Sequence, residues 1–434
     1  MMFSAKSRNL VYGLLTMLLL AGLLAACGGG ATPAPTAEPA PAQAPEPTAT
    51  PVPVQAEQPA APAAGDDLLA SLPAELQALY TNTTDPIEPS PFDDFAAVEG
   101  PWKICYADSY QGNPWRVAVR DELIRLAEEF TAAGKVESFE NAVSNNDVAQ
   151  QISNIRAYID KGCDIILSIP ESATGLNDVI KDAYDAGIPF VTMAGAVNSP
   201  YALNVNSNYY KWGYDMAEGI AKELDGKGNV LMVEGLAGHP IVLAEGQGYD
   251  DAMAQYPDLK TVARVNGDWT LSVTKQAVLQ ALATHPEPID AVWTTGSESR
   301  VIAEAFAEAG RPVPLITGSL TGDIMGYWQE NGDEGFRFYG HGVLPHWTAQ
   351  TGFRAAVRLL EGQQPKLNLL EIPLPEVTQE DLPNWYDTCM TTDATSIFPI
   401  PPTDPFPEDI MNEYFVNGAA TPPYDYATAP KACP

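Results

Sequence analysis

Residues 103–108 read Lys-Ile-Cys-Tyr-Ala-Asp, an apolar run that is followed by the turn sequence Gly112-Asn-Pro114. A second apolar run, Val230-Leu-Met-Val-Glu234, is followed by Gly238-His-Pro240. The two turns are 126 residues apart. An apolar run that ends at a Gly/Pro turn is typical of a strand leading into the next element. The chain therefore contains two similar starts of a folded unit.

The similarity between the two halves continues beyond these starts. Asp164-Ile-Ile-Leu-Ser-Ile-Pro-Glu-Ser172 resembles Asp290-Ala-Val-Trp-Thr-Thr-Gly-Ser-Glu298, again at an offset of 126 residues. Segment 183–189 resembles segment 305–312 with a small slip. Three matches in chain order indicate an internal duplication.

Each copy alternates strands and helices. After Asn113, Pro114 suits a first helical position, and apolar residues recur at helical spacing at Val119, Leu123, Leu126 and Phe130. Continuous apolar strands such as Ile165-Ile-Leu167 predict burial on both faces, as in a parallel sheet covered by helices. We therefore predict an α/β fold of two doubly wound parallel-sheet lobes. Ligands bind beyond the carboxyl ends of such strands, which predicts a cleft between the lobes.

The N-terminus has the pattern of an export signal. Lys6 and Arg8 precede an apolar stretch, Leu10 to Leu24, that is too short and too abruptly ended to favour a membrane span. The sequence Leu24-Ala-Ala-Cys27 resembles the lipobox of bacterial lipoproteins, which implies acylation of Cys27; the alternative is an ordinary signal peptide with an incidental cysteine. Residues 1–27 are thus predicted to be the signal, and the protein to be exported and lipid-anchored.

Residues 28–99 are predicted to be a tether and lead-in. Gly, Ala, Pro, Thr, Glu and Gln dominate as far as Gly65, and such a segment buries too little apolar surface to offset its ordering entropy. Weak helical patterning begins at Leu68. Because the remaining length exceeds that of a usual single domain, two domains are expected.

The formal net charge of the 434-residue chain is −33. A strongly acidic surface argues against nucleic acid as a partner. Export permits disulfides. Cys105 and Cys163 lie in apolar runs and are predicted to be buried, unpaired hydrophobic residues, whereas Cys389 and Cys433 bracket a Pro-rich tail and are either bridged or free.

Several short motifs resemble the type I periplasmic binding proteins of ABC importers, in the branch that takes ribose, xylose or galactose. They are Gly112-Asn-Pro-Trp-Arg116, Asn145-Asn-Asp-Val-Ala-Gln-Gln-Ile152, Lys161-Gly-Cys-Asp-Ile165, Ala186-Gly-Ile-Pro189 and Gly226-Lys-Gly-Asn-Val230. The resemblance covers residues 102–376. It implies a monomeric receptor that closes over a small polar ligand and delivers it to an ABC permease with its ATPase. The expected ligand is a sugar.

In that family three chain crossovers join the lobes. The resemblance places them near 204–207, 342–345 and 366–372. The N-terminal lobe is then 100–205 plus 346–366, and the C-terminal lobe is 206–345 plus 367–380. Residues 381–434 form a Pro-rich extension beyond the family pattern.

A sugar site needs aromatic faces for the ring and planar polar groups for the hydroxyls. The resemblance assigns ring platforms to Trp115 and Trp269, although either position equally suits a core tryptophan. Asn113 matches a polar contact or a helix N-cap, and Arg116 presents a charge to the cleft or to solvent. His239 matches a histidine that contacts hexose, or is simply exposed on its turn.

Two positions depart from the family pattern. Ala194-Gly195 stands where a polar pair is usual, and Glu245 stands where an arginine is usual. A carboxylate only accepts hydrogen bonds, whereas arginine donates a fork of them. A ligand with more donors is therefore expected, such as an amino sugar, a polyol or a nucleoside. Ser297, Glu298 and Ser319 are further candidates for hydroxyl contacts.

The sequence contains no Gly-x-Ser-x-Gly, Walker A or HExxH motif, so an enzyme is not expected. No cofactor is implied. His341 and His346 lack a carboxylate or cysteine at metal-ligand spacing, and no metal is predicted from them. A sensory receptor subunit with the same fold, or an exported hydrolase, remains the alternative class.

Overall fold

The computed structural model describes residues 68–401, 403–404, 406–419 and 431–433. These belong to one compact unit, Ala60–Pro434. The predicted signal with Cys27, the tether up to residue 67 and residues 420–430 of the extension lie outside the described residues. Within those ranges no helix is both long and apolar enough to cross a bilayer.

The first lobe, called the N-lobe below, is built on a six-stranded parallel sheet. Its strands are β1 (Trp102–Asp108), β2 (Val136–Val143), β3 (Ile165–Ile169), β4 (Phe190–Met193), β5 (Leu203–Asn206) and β11 (Leu369–Glu371). Their spatial order is β11-β5-β4-β3-β1-β2. Its helices are α2 (Pro114–Ala132), α3 (Val148–Lys161), α4 (Asn177–Asp185) and α10 (Pro345–Leu360).

The alternation of side chains along β1 shows why helices cover both faces of this sheet. Ile104 and Tyr106 belong to the core beneath α2 and α10, whereas Cys105 and Ala107 belong to the core beneath α3 and α4. Successive strand residues point to opposite faces, so a wholly apolar strand needs two helical layers. The predicted doubly wound arrangement follows from this pattern.

The second lobe, called the C-lobe, repeats the architecture. Its strands are β6 (Lys227–Glu234), β7 (Asp258–Asn266), β8 (Ala291–Trp293), β9 (Leu315–Ser319), β10 (Phe338–His341) and β12 (Glu376–Val377), in the order β12-β10-β9-β8-β6-β7. All pair in parallel except β12, which pairs antiparallel with β10. Its helices are α5 (Tyr209–Glu223), α6 (Pro240–Met253), α7 (Leu271–Thr284), α8 (Ser299–Glu308) and α9 (Gly322–Asn331).

Three crossovers connect the lobes. The first two lie at 207–208 and 342–344. The assignment of 367–380 to the C-lobe is wrong at its start, because Leu369–Glu371 pairs in parallel with β5 of the N-lobe sheet. The third crossover therefore lies at 372–375, between β11 and β12. The apolar residues of β11 fill the open edge of the N-lobe sheet, which explains the difference.

The prediction that Cys105 and Cys163 are unpaired is also wrong. Both are buried, at 1% and 4% exposure, but they form a disulfide with a Cα–Cα distance of 6.1 Å. Cys105 lies on β1 and Cys163 just precedes the adjacent strand β3, so the parallel pairing brings them together. Cys389 and Cys433, left open above, are also bonded to each other.

The segments before and after the lobes pack onto β11. Before the lobes, α1 (Ala74–Gln77) and a 3₁₀ turn (Ala78–Tyr80) carry Tyr80, whose hydroxyl donates to the carbonyl of Leu369 at 2.6 Å. After the lobes come α11 (Leu382–Trp385) and α12 (Glu408–Asn412), and Tyr414 donates to the carbonyl of Glu371 at 3.0 Å. The lead-in and the extension thus both hold a hinge strand.

Candidate ligand-binding site

A cavity lies between the two lobes at the carboxyl ends of their strands. Counting the space at its mouth, its empty volume is about 530 Å³, within the usual range of small-molecule sites. Its lining residues come from both lobes and the crossovers: Asn113, Trp115, Arg116, Ala194, Tyr209, Trp212, Ile241, Glu245, Trp269, Thr295, Gly296, Ser297, Glu298, Ser319 and Val343. All the predicted contacts except His239 are therefore brought together here.

Trp115 is placed by the start of α2. Asn113 caps this helix by accepting a hydrogen bond from the Arg116 backbone N–H at 2.9 Å, and Pro114 occupies the first helical position. The indole N–H of Trp115 donates to the carbonyl of Val343 at 2.9 Å. Because Val343 belongs to the second crossover, Trp115 ties the N-lobe to the hinge while its ring lines the cavity.

Arg116 lines the cavity with a charge that is already paired. It is 6% exposed, and its guanidinium donates to Asp108 at 3.1 Å and to Ser109 at 3.3 Å. Burial raises the pKa of Asp108, while Arg116 opposes that rise. The Arg116–Asp108 pair therefore offers hydrogen-bond donors in fixed positions and contributes little net charge to the cavity.

Trp269 faces the cavity from the C-lobe. It follows β7 in a turn where Asp268 and Trp269 both have positive φ, at 53° and 49°. Gly235 is required beside it, because a Cβ there would lie 2.2 Å from the Trp269 ring. The Trp269 indole therefore packs directly against the backbone of Gly235.

His239 does not line this cavity. Its ring packs edge-on against Trp269, with the centroids 5.0 Å apart, and it lines a neighbouring cavity with Glu171 and Asp268. Burial lowers the pKa of His239 to about 3, so the ring is neutral at pH 7. The structure thus gives His239 a role in supporting Trp269.

Glu245 lies deep in the cavity wall, at 2% exposure. Gly213 of α5 allows the close approach that places it, because a Cβ at Gly213 would lie 2.0 Å from the Glu245 carbonyl oxygen. Thr295 donates its hydroxyl to Glu245 at 2.9 Å. Burial raises the pKa of Glu245 to about 8. At pH 7 it is therefore mainly a neutral acid that donates as well as accepts, unlike the purely accepting carboxylate expected above.

A second acidic residue lies beside Glu245. Glu298 precedes α8 and is 4% exposed, and burial raises its pKa to about 7. Ser319 donates to the carbonyl of Thr295 at 2.9 Å, so its oxygen is held at the cavity wall. Ser297 lines both this cavity and an adjoining one that shares Trp115 and Trp269 with it. The C-lobe wall is consequently rich in hydroxyl and carboxyl groups.

The sequence reasoning missed several lining residues. Tyr209 and Trp212 follow the first crossover, on the first turn of α5, where their apolar spacing predicts only a buried helix face. Thr295 follows strand β8, and the rule that sites form at strand ends was sufficient to find it. Thr395 of the C-terminal extension lines the adjoining cavity, and nothing in the sequence pattern indicates this position.

The sequence profile of the periplasmic binding protein domain family matches residues 105–364, more than half of the chain. The chain therefore belongs to this family, which comprises non-enzymatic substrate-binding proteins of ABC transporters.

Individual relatives share this domain. Over 215 residues the chain is 28% identical to the xylitol-binding protein of Mycolicibacterium smegmatis, covering 47% of this chain and 61% of that protein. It is 25% identical over 236 residues to the galactofuranose-binding protein YtfQ of Escherichia coli, and this match covers 52% of this chain and 73% of that protein. The solved structure of an ABC transporter solute binding protein from Thermobispora bispora superposes with a TM-score of 0.61 at 28% identity. The superposition covers 66% of this chain and 88% of that chain. The chain thus matches less than two thirds of the xylitol-binding protein's length.

Proposed function

We propose that this protein is an extracytoplasmic receptor that captures a neutral polyol or monosaccharide between its lobes and delivers it to an ABC permease with its ATPase. The observation that carries the proposal is the cavity in which Trp115 and Trp269, from opposite lobes, accompany buried Glu245 and Glu298. Aromatic rings bind the C–H face of a sugar, and the acids and hydroxyls bind its oxygens. The relatives named for xylitol and galactofuranose support this ligand class.

The mechanism we infer is hinge closure. Contacts to the ligand come from both lobes and are complete only when the lobes are closed, so binding shifts the population toward the closed state. The permease then recognises the closed receptor. Capture and delivery by this mechanism require no covalent chemistry, and a monomer of the receptor is sufficient.

A second candidate is a ligand that carries an amine. Two buried acids line the cavity, and the cation that lines it, Arg116, is already paired with Asp108. An ammonium group would find a carboxylate partner here. An amino sugar is the simplest ligand of this kind.

Glu245→Leu is expected to weaken ligand binding by about 1–3 kcal/mol, because an apolar side chain leaves the ligand group that Glu245 contacts without a hydrogen-bond partner. Calorimetric titration with the best compound from a thermal-shift screen of sugars, polyols, amino sugars and nucleosides measures this change. Glu308→Leu is the control, since Glu308 is exposed and does not line the cavity, and its variant should bind normally. Equal affinity of Glu245→Leu and the wild type would remove Glu245 from the site.

The pH dependence of binding separates the two ligand classes. Glu245, with a pKa of about 8, and Glu298, with a pKa of about 7, lose protons as the pH rises. A neutral ligand that uses the protonated acid should bind about tenfold more weakly at pH 9 than at pH 7. An amine should instead bind more tightly as the pH rises from 6 to 8. If the affinity rises between pH 6 and pH 8, the neutral-ligand proposal is wrong and the amine is the better candidate.

We further propose that the protein is attached to the membrane by lipid on Cys27, as the sequence Leu24-Ala-Ala-Cys27 suggests. Acyl chains bind membranes in proportion to their buried methylenes, and two or more make a lasting anchor. Cys27→Ser should therefore move the exported protein from the membrane fraction to the soluble fraction. Unchanged fractionation on an immunoblot would contradict the anchor.

A further inference from the structure

Three potential metal ligands meet at the edge of the C-lobe sheet, and none of them lines the cavity described above. Asp215 lies on α5, His341 is the last residue of β10, and Glu376 is the first residue of β12. Each offers one ligand atom, and these atoms all lie within 4.8 Å of one another. The sequence did not reveal the group because its members are separated by 126 and 35 residues.

His341 provides an independent indication of a ligand. Its side chain is fully buried, at 0% exposure, and neither ring nitrogen has a hydrogen-bond partner among the described residues. A buried polar group without a partner is costly and uncommon. An imidazole binds a metal ion through a ring nitrogen that carries no proton. A metal ion beside it would satisfy a ring nitrogen.

We propose that Asp215, His341 and Glu376 bind a divalent transition-metal ion, with Zn²⁺ as the representative. One imidazole nitrogen and two carboxylate oxygens suit Zn²⁺, whereas Ca²⁺ and Mg²⁺ prefer all-oxygen sites. Glu376 is exposed, so the ion has a route from solvent and room for a water molecule as a fourth ligand.

The surrounding contacts are compatible with coordination. Tyr339 donates its hydroxyl to Oε2 of Glu376 at 2.6 Å and so orients this carboxylate, as residues around metal ligands commonly do. Lys211 donates to Oδ2 of Asp215. The Lys211 side chain is 42% exposed and is able to turn toward solvent when a cation takes its place.

The position of the three residues gives the metal a mechanical consequence. Asp215 lies on the helix that follows the first crossover, His341 immediately precedes the second, and Glu376 immediately follows the third. An ion held by all three joins the C-lobe ends of the three hinge segments. Binding should therefore stiffen the base of the hinge and raise the thermal stability of the C-lobe.

In the experiment, the protein is first treated with a chelator to remove bound metal. Zn²⁺ is then added as the probe, and the excess is removed by dialysis. We expect one tightly bound Zn²⁺ per chain by elemental analysis after dialysis, and a Zn²⁺-dependent rise in Tm. Glu376→Gln and Asp215→Asn should each weaken Zn²⁺ binding by about 10–100-fold or more in calorimetry. Glu376 is exposed, so its variant should fold normally, which circular dichroism checks. His346→Gln is the control, because His346 is a partly buried histidine that lies outside this group.

Absence of stoichiometric Zn²⁺ from the wild type would overturn the proposal. So would equal Zn²⁺ affinity in Asp215→Asn, Glu376→Gln and the wild type, since binding would then lie elsewhere on the acidic surface. Displacement of Zn²⁺ by an equal concentration of Ca²⁺ would overturn the class of metal. None of these results depends on the sugar-binding proposal.

Discussion

Replacing Cys105 and Cys163 together by alanine is expected to lower the free energy of unfolding by about 4 kcal/mol. The bond closes a loop of 58 residues, and the loop-entropy relation gives a loss of about 4 kcal/mol for a loop of that length. The bond also lies within the N-lobe core, between β1 and the start of β3. Its removal therefore releases a constraint on the unfolded chain between these two cysteines. Chemical unfolding followed by circular dichroism measures the difference.

The second bridge provides the comparison. Cys389→Ala with Cys433→Ala removes a bond in the C-terminal extension and leaves both sheets untouched. Hydrogen exchange should then increase in the extension, while exchange in β1 and β3 stays as in the wild type. A loss below about 1 kcal/mol on removing the Cys105–Cys163 bond would mean that it does not stabilise the N-lobe as described.

Trp115→Ala and Trp269→Ala are each expected to weaken ligand binding by at least about 2 kcal/mol, or about 30-fold. Each ring lines the cavity from its own lobe, and its removal loses both the stacking surface and the exclusion of water. Trp115→Ala also removes the hydrogen bond to Val343, so its effect should be the larger of the two. Calorimetric titration of the variants with one ligand gives the comparison.

Two further variants separate binding from stability. Trp269→Phe keeps an aromatic face and should retain most of the affinity. Trp102→Ala removes a buried tryptophan at the start of β1 that does not line the cavity, so it should lower Tm while the affinity stays unchanged. If Trp102→Ala weakened binding as much as Trp269→Ala, the losses would reflect general destabilisation.

Much of the architecture could be predicted from local sequence. The apolar runs at residues 103–108 and 230–234, with their Gly/Pro turns, predict strands and helix starts because these patterns depend on nearby residues alone. Ser297 and Glu298 lie in the turn after β8, and Ser319 is the last residue of β9. Trp115, Trp269 and Glu245 were instead assigned by the family resemblance. Sites at strand ends are predictable once the strands are known.

Features that depend on distant contacts could not be predicted. The prediction that Cys105 and Cys163 are buried is confirmed, but their bond depends on which strands are neighbours. The third crossover was misplaced because β11 completes the N-lobe sheet beside β5, a pairing with no local signal. His239 lies on the predicted turn, but its ring packs against Trp269 and lines a neighbouring cavity. The group around His341 likewise exists only in three dimensions.

The account rests on a small polar ligand held between the lobes by residues from both. A crystal structure of the protein with the tightest-binding compound of the screen tests it most directly. The account predicts ligand density between Trp115 and Trp269, with ligand oxygens within hydrogen-bonding distance of Glu245 or Glu298. Density at another place on the surface, or a ligand that contacts one lobe only, would contradict it.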